Sequence, residues 1–387
     1  MIAIVVSRAD SASEHIGERL LDIGDWERRD DPSRPDAAGG GTYYRTDGFE
    51  LREFDDLHID LDDPATAFDC DPAFLAFVSR HSGETGELLT AHVTGNFGPA
   101  PYGGEPETLA RAAPGAEKRV VEALASHAPD GYDAGIECTH HGPTATAVPS
   151  LFVELGSGEP QWTDPEAARA VARAVLDLRG TGAHLVGDSG ETVDETAADS
   201  PPRHVVGFGG GHYAPRFTRI VRETEWAVGH VGADWALGEL GAPDANRDVI
   251  EQAFARSRAD LAVIEGDRPD LAATVEDLGH RVVTETWVRE VGDTPPIAGR
   301  AARGGRRDGR RGAPVRRGRP RNSRRSPRQG APGGPALAGA GRGRGRGPGG
   351  GGDEHCRLRH RAGRDASSGP GRVRRRREFA RIRRPRR

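Results

Sequence analysis

The order of apolar and amphipathic segments constrains the fold most, together with the point where that order stops. Apolar runs such as IAIVVS at 2–7 and LLTAHVTG at 88–95 predict buried strands, and the segments at 11–23 and 164–180 have helical spacing. Strands that alternate with helices favour an α/β fold with a largely parallel sheet covered on both faces. The pattern continues to about Thr294.

The charge changes sign at the same place. Residues 1–294 hold 24 basic and 54 acidic residues, a formal charge of −30, whereas 295–387 hold 30 arginines and five acidic residues, a charge of +25. The second segment has too few large apolar side chains to offset its ordering entropy, so we expect a catalytic domain over 1–294 and a disordered region over 295–387. This region is either a basic arm that binds RNA or, as the abrupt change favours, a frameshift product that replaces the last part of the domain.

The acidic composition of residues 1–294 indicates a halophilic archaeon as the source. Lys118 is the single lysine of the chain, and aromatic residues are few. At molar salt the Debye length is about 3 Å, so a charge near −30 is screened and helps to keep the protein soluble. An acidic protein from an ordinary mesophile is the alternative.

The chain shows no sign of export or membrane insertion. Its N-terminus, MIAIVVSRAD, is apolar for six residues, which predicts a strand rather than a signal peptide. No apolar run approaches the roughly 18 residues of a membrane span. The three cysteines form no CxxC pair and indicate no disulfide framework. We therefore expect a cytoplasmic protein.

Chemically active side chains are densest in ECTHHGPT, residues 137–144. In a strand, alternate side chains point to opposite faces, so His140 and His141 would point apart. If the strand ends near His140, both imidazoles can turn towards a site at the carboxyl edge of the sheet, where α/β folds bind ligands. A solvated polar turn is the alternative.

A carboxylate lies in the next apolar strand. In PSLFVELGS, Glu154 is surrounded by apolar residues, and buried carboxylates are rare unless they are paired or bind a metal. Two histidines and this glutamate could supply three ligands to Zn²⁺ and leave one position open for water. The alternative is that Glu154 lies on an exposed strand face.

Two glycine-rich segments offer backbone amides to a ligand. In the first, GNFG at 95–98, Asn96 lies in a tight turn suited to an oxyanion or a phosphate, although such turns are mostly structural. The second, GFGGGHYAPRFT at 207–218, departs from a dinucleotide-binding loop, because His212 replaces the third glycine and Pro215 interrupts the expected helix.

Three side chains of the second segment suit the end of an RNA chain. His212 offers a metal ligand or a proton-transfer group, Tyr213 a stacking face, and Arg216 a clamp for an anion.

Elsewhere the patterns indicate structural roles. We predict a solvated edge strand for HIDLDD at 58–63, a strand for RVVTETWV at 281–288, and a loop over 25–42.

The segments HVTGNFG, ECTHHGPT, PSLFVELGS and GFGGGHYAPRFT together resemble the archaeal and plant type of D-aminoacyl-tRNA deacylase, over residues 1 to about 294. The resemblance implies a zinc-dependent, monomeric enzyme that hydrolyses the ester between a D-amino acid and tRNA. It also implies a three-layer α/β/α fold with a parallel or mixed sheet, similar to phosphorylases and peptidyl-tRNA hydrolases. The family motifs correspond to His140, His141, Gly142, Pro143, Gly209 to His212 and Arg216.

These expectations assign a role to each candidate residue. Zinc, as one or two ions, would be held by His92, His140, Glu154 and His212, with His141 as a further candidate ligand. Catalysis would involve Glu137, His141 and Thr144, with Glu137 or Glu154 as a general base. The substrate would contact Asn96, Gly210, Tyr213 and Arg216. Two other classes stay open, a small-molecule zinc hydrolase or nucleoside phosphorylase, and a non-catalytic RNA-binding protein that acts through its basic region.

Overall fold

The computed structural model describes residues 1–186, 191–193 and 202–291. The expected boundary near Thr294 and the region 295–387 lie outside the described residues, so the domain division stays a prediction. The strands are β1 (Ile2–Ser7), β2 (Glu27–Asp31), β3 (Gly41–Thr46), β4 (Phe49–Phe54), β5 (Phe74–Arg80), β6 (Leu88–His92), β7 (Gly95–Asn96), β8 (Thr108–Leu109), β9 (Asp133–Ile136), β10 (Ser150–Gly156), β11 (His184–Val186), β12 (Glu191–Val193), β13 (His204–Phe208), β14 (Ala227–Gly232), β15 (Leu261–Ile264) and β16 (Arg281–Val283).

The α-helices of the described residues are α1 (Ser11–Ile23), α2 (Pro114–His127), α3 (Glu159–Trp162), α4 (Pro165–Leu176), α5 (Pro215–Glu223), α6 (Asp234–Leu240), α7 (Arg247–Ser257), α8 (Pro269–Asp277) and α9 (Glu285–Glu290). Side-chain caps fix several helix starts. Asp10 accepts hydrogen bonds from the first amides of α1, and Asp164 does the same for α4. None of the described helices has the length and apolar character needed to cross a bilayer.

The first sheet has eight strands in the order β2-β3-β4-β1-β5-β10-β6-β9. Its centre is parallel, from β4 through β1 and β5 to β10, whereas β6 runs antiparallel to β10 and parallel to β9. The α/β class with a mixed sheet is thus confirmed. Helices α1, α2 and α4 pack on one face of this sheet, and the other face is covered partly by Phe54, Phe68 and the short 3-10 helix Pro64–Ala67.

A second sheet, which the sequence did not predict as separate, contains β14-β13-β15-β16, all parallel. Apolar residues of α6, α7 and α8 form a core with its strands. Residues of α5 and α9 belong to a larger core that also includes α2 and the first sheet. Helix α2 contacts both β6 and β14, and so joins the two sheets.

Several predicted elements were wrong in detail. The segment at 58–63 is no edge strand, because His58–Asp60 forms a 3-10 helix and the His58 ring is buried against Phe77 and Phe152. The segment at 281–288 is divided, since Thr284 accepts a hydrogen bond from the Trp287 amide and caps a helix.

Two further predictions also failed. Within the predicted loop 25–42, residues Glu27–Asp31 form a strand that pairs with β3. Pro215 does not interrupt a helix but begins α5, a position where its missing amide hydrogen costs nothing.

Glu117 provides a test of this core. Its carboxyl is buried in the first turn of α2, and burial raises its pKa well above the usual value. Because the pKa of Glu117 is higher in the folded state, its contribution to the free energy of unfolding is largest below its unfolded-state pKa of about 4.3. That contribution is lost as the pH rises towards the folded-state pKa. Replacing Glu117 with Gln should therefore raise the free energy of unfolding at pH 8. The expected gain is about 1.4 kcal/mol for each pKa unit by which the folded-state pKa of Glu117 exceeds its unfolded-state pKa.

The measurement is denaturant unfolding at pH 4.5 and pH 8 in molar KCl. The gain should shrink towards pH 4.5. The matched control is Glu166→Gln, an exposed residue in the first turn of α4, which should change stability little at either pH. An equal effect of both variants at pH 8 would contradict the assignment.

Candidate active site

The predicted histidine-rich segment follows a strand rather than forming one. Strand β9 ends at Ile136, and residues 137–141 continue in irregular backbone. Because the alternation of side chains does not apply beyond Ile136, His140 and His141 are not forced apart. His141 adopts a left-handed backbone conformation with φ 50°, which further redirects the chain.

Three histidines form the first group of the site. Nitrogen atoms of His92, His140 and His141 lie within 4.8 Å of one another. The ring centroids of His92 and His140 are 4.4 Å apart, and those of His140 and His141 are also 4.4 Å apart. His92 is the last residue of β6 and is fully buried. Strand β6 and the segment after β9 thus bring these rings together.

Backbone carbonyls fix the tautomers of this group. The Nδ1–H of His140 donates to the Cys138 carbonyl over 2.8 Å, and that of His141 donates to the Gly142 carbonyl over 2.6 Å. Burial lowers the pKa of both rings, well below the usual value for His140 and to about 3 for His141. Both imidazoles are therefore neutral, and each Nε2 keeps a lone pair.

A second group surrounds Glu137, whose carboxylate is fully buried. The Nε2–H of His212 donates to its Oε2 over 2.7 Å, and Nε2 of His81 lies 3.6 Å from its Oε1. The other ring nitrogen of His212 lies 3.5 Å from Cys138 Sγ. A buried carboxylate is thus held between two histidines.

Opposite charges determine the protonation of this group. Burial opposes the charge on Glu137, but the hydrogen bond from His212 and the nearby His81 outweigh it and hold the Glu137 pKa well below its usual value. Burial likewise opposes the charge on His212, yet hydrogen bonds to Cys138 and Glu137 raise its pKa to about 11. Glu137 and His212 therefore form an ion pair.

Glu154 belongs to the same region, although not as expected. It is buried, which excludes the exposed strand face, and it accepts a hydrogen bond from Ser79 over 2.8 Å. Its Oε1 lies 3.5 Å from His92 Nε2. Among the described residues, the groups close enough to hold one ion are His92 with His140 and His141, Cys138 with His140 and His212, and His81 with Glu137 and His212. Glu154 is in none of them.

The other predicted residues lie in two kinds of surroundings. The Asn96 amide donates to the carbonyls of Gly103 and Glu105, and the Thr144 hydroxyl accepts from the Glu105 amide, so both hold a loop. Tyr213, in contrast, places its ring beside His212 with a centroid distance of 5.0 Å.

Arg216 is already paired with carboxylates, over 3.3 Å to Glu265 and 3.1 Å to Glu285. Gly210 has φ 82°, and a side chain there would meet the Glu265 carboxylate. The substrate-binding roles of these residues stay predictions.

Sequence reasoning missed His81 and Cys138. His81 directly follows β5, and its Nδ1 shares a hydrogen bond of 3.1 Å with the Ser157 hydroxyl. The rule applied to His140, a polar residue where a buried strand ends, would have found His81 as well. Cys138 carried no pairing signal of its own, because its partner His212 is distant in the sequence.

The fold and these groups define an α/β protein with a buried histidine–glutamate site. The family model of D-aminoacyl-tRNA deacylases matches residues 68–283. The chain therefore belongs to the D-aminoacyl-tRNA deacylase family, as the sequence motifs predicted.

Individual relatives agree. The D-aminoacyl-tRNA deacylase of Halorubrum lacusprofundi is 83% identical over 311 residues, with 76% of this chain and 63% of the relative covered. That of Natronomonas pharaonis is 57% identical over 295 residues, with the same coverage. The chain thus spans less than two-thirds of the length of these curated relatives. A crystal structure described as a conserved protein of unknown function has a TM-score of 0.62 and 31% identity, covering 75% of this chain and 97% of that one.

Gly209 provides a test of how the site is built. It has φ 95°, and a Cβ there would lie 2.3 Å from the Glu265 carbonyl oxygen, whereas a Cβ at Gly211 would meet nothing within 4 Å. Gly209→Ala should lower the free energy of unfolding by about 1–3 kcal/mol, since both the backbone strain and the contact with main chain are unfavourable.

Denaturant unfolding of both alanine variants in molar KCl measures this difference. Gly211→Ala is the matched control and should stay within about 0.5–1 kcal/mol of the original chain. Equal stability of the two variants would show that the left-handed turn before His212 is not required.

Proposed function

We propose that the chain hydrolyses the ester bond of D-aminoacyl-tRNA and releases the free D-amino acid and tRNA. Family membership and the names of the similar proteins support this activity. The observation that carries it is the buried Glu137 carboxylate, held by His212 beside the neutral imidazoles of His140 and His141.

Glu137 acts as the general base in this proposal: its lowered pKa keeps it ionised and able to accept a proton, and also makes it a weak base. Its Oε2 is occupied by the hydrogen bond from His212, whereas its buried Oε1 has no hydrogen-bond partner among the described residues. Oε1 can therefore accept a proton from a water molecule as the water oxygen attacks the ester carbonyl carbon. The bond from that carbon to the ribose oxygen then breaks, and the proton passes to the ribose oxygen as it leaves.

His92, His140 and His141 fit a zinc ion. His140 and His141 are neutral, and their Nδ1 atoms are engaged by carbonyls. Burial lowers the pKa of His92, but the Glu154 carboxylate 3.5 Å from its Nε2 outweighs this and raises that pKa, so a zinc ion would replace a proton at this nitrogen. Three such nitrogens match the ligand number of catalytic zinc sites. Bound Zn²⁺ supplies Lewis-acid activation of a carbonyl or a water molecule.

This set replaces part of the ligand set expected from the sequence. Glu154 is engaged by Ser79, and His212 by Glu137. The group of Cys138, His140 and His212 shares His140 with this set, and His212 would have to give up the proton that it carries in its ion pair with Glu137 before it could bind an ion.

The wider setting belongs to the proposal as well. We propose a monomer that acts in the cytoplasm of a halophilic archaeon, with D-aminoacyl-tRNA as its RNA partner. The names of the similar proteins favour neither a nucleoside phosphorylase nor a non-catalytic RNA-binding protein.

The experiment compares deacylation of D-Tyr-tRNA and L-Tyr-tRNA in molar KCl, with and without a zinc chelator. We expect hydrolysis of the D form only, and its loss on chelation. His140→Ala should lower kcat/KM by about 100-fold or more, because removing a metal-site or first-contact group has effects of this order.

The matched control is His127→Ala, which removes a histidine of α2 that is paired with Asp177 at the surface. This variant should hydrolyse D-Tyr-tRNA at the original rate. An undiminished rate for His140→Ala, with zinc content unchanged, would sink both the catalytic and the metal assignment.

A further inference from the structure

Exposed aromatic side chains are concentrated beside the site. Among the described residues, the large apolar side chains that stay exposed are Met1, Tyr102, Tyr213 and Trp235. The rings of Tyr213 and Trp235 both lie beside His212. The Tyr213 and His212 centroids are 5.0 Å apart in an edge-on arrangement, and the Trp235 and His212 centroids are 6.4 Å apart with an angle of 23° between the ring planes. Single exposed aromatics are ordinary, but two around one site histidine form a surface that a planar ligand would cover.

The position of Trp235 is fixed by the glycine turn that carries His212. The Gly210 amide donates to the Asp234 carboxylate over 2.6 Å, and the Asp234 amide donates to the Gly210 carbonyl over 2.9 Å. Arg268 donates to the same carboxylate over 2.6 Å. Since Trp235 follows Asp234 in α6, these contacts hold its backbone beside the turn that carries His212.

Two arginines near this surface are already paired with carboxylates. Arg216 pairs with Glu265 and Glu285, and Arg268 pairs with Asp234. These two arginines are therefore less available to phosphate groups, and phosphate contacts weaken further as salt rises because their gain comes from counterion release. Stacking of a base on an aromatic ring involves no phosphate and so releases no counterions, and it accepts any base.

We propose that Trp235 and Tyr213 form a stacking platform for the terminal base of the tRNA acceptor end. This inference rests on the proposed function and names the part of the substrate that Trp235 binds. The base lies on the exposed ring of Trp235, and the ester attached to its ribose reaches Glu137 and the histidines. Recognition therefore depends on the π-face of residue 235 and only weakly on salt.

The test measures binding without turnover. The chain has five tryptophans, so labelling with 5-fluorotryptophan gives a small set of ¹⁹F signals, and Trp235→Leu assigns one of them. Titration with a CCA trinucleotide in 1 M KCl should shift the Trp235 signal. Trp235→Leu should weaken binding about tenfold, as the loss of one stacked base predicts, and Trp235→Tyr should restore most of it.

Trp26→Leu is the matched control. Trp26 lies between α1 and β2, its ring packs on Phe49, and the variant should bind CCA as the original chain does. Raising KCl from 1 M to 3 M should change the affinity less than about twofold, the effect of a single phosphate contact. With D-Tyr-tRNA, Trp235→Leu should raise KM about tenfold and change kcat less.

The outcomes separate the two proposals. If the protein binds CCA through Trp235 but does not hydrolyse D-Tyr-tRNA, the proposed function is contradicted and the stacking platform is supported. An active protein whose CCA affinity and KM are unchanged in Trp235→Leu would overturn the platform. Absence of CCA binding by the original chain, or a loss in Trp26→Leu equal to that in Trp235→Leu, would overturn it too.

Discussion

The ion pair between Glu137 and His212 is the interaction on which the site depends, because it joins two sheets. Glu137 follows β9, an edge strand of the first sheet, and His212 follows β13 of the second sheet. A buried carboxylate without a partner would cost several kcal/mol. Two backbone hydrogen bonds support the same junction, from the Cys138 amide to the His212 carbonyl and from the Thr139 amide to the Val231 carbonyl. The same packing between the two sheets therefore determines the geometry of the candidate site.

The glycines before His212 allow the chain to place this residue at the junction between the two sheets. Gly209 and Gly210 have positive φ, and a Cβ at either would meet Glu265, which follows β15. The chain can thus turn sharply after β13, before α5 begins, and bring His212 to Glu137. The same turn binds Asp234, so that it also determines where Trp235 lies. One sequence motif, GGGHY, in this way positions the acid–base pair and both aromatic rings.

The sequence predicted the α/β class and most of the residues that meet at the site, because buried strands and unusual polar residues leave local signals. It failed where the answer depended on contacts between distant segments. The end of β9 at Ile136 follows from the docking of 137–141 on the second sheet, which periodicity cannot show. Cys138 belongs to the site because its sulfur lies next to His212, which is distant in the sequence. Arg216 is paired with Glu265 and Glu285, which are also distant in the sequence, and so is less available to an anion.

Charge explains how an acidic protein can approach a polyanion. Three cationic groups next to the site have a carboxylate partner, His212 with Glu137, Arg216 with Glu265 and Arg268 with Asp234. Such a surface neither attracts nor strongly repels phosphates at molar salt, where screening reduces long-range forces to about 3 Å. Specific contact must then come from short-range interactions, chiefly dispersion and stacking, whose strength does not depend on counterion release. The exposed rings beside the histidines provide such contact where the local charges are balanced.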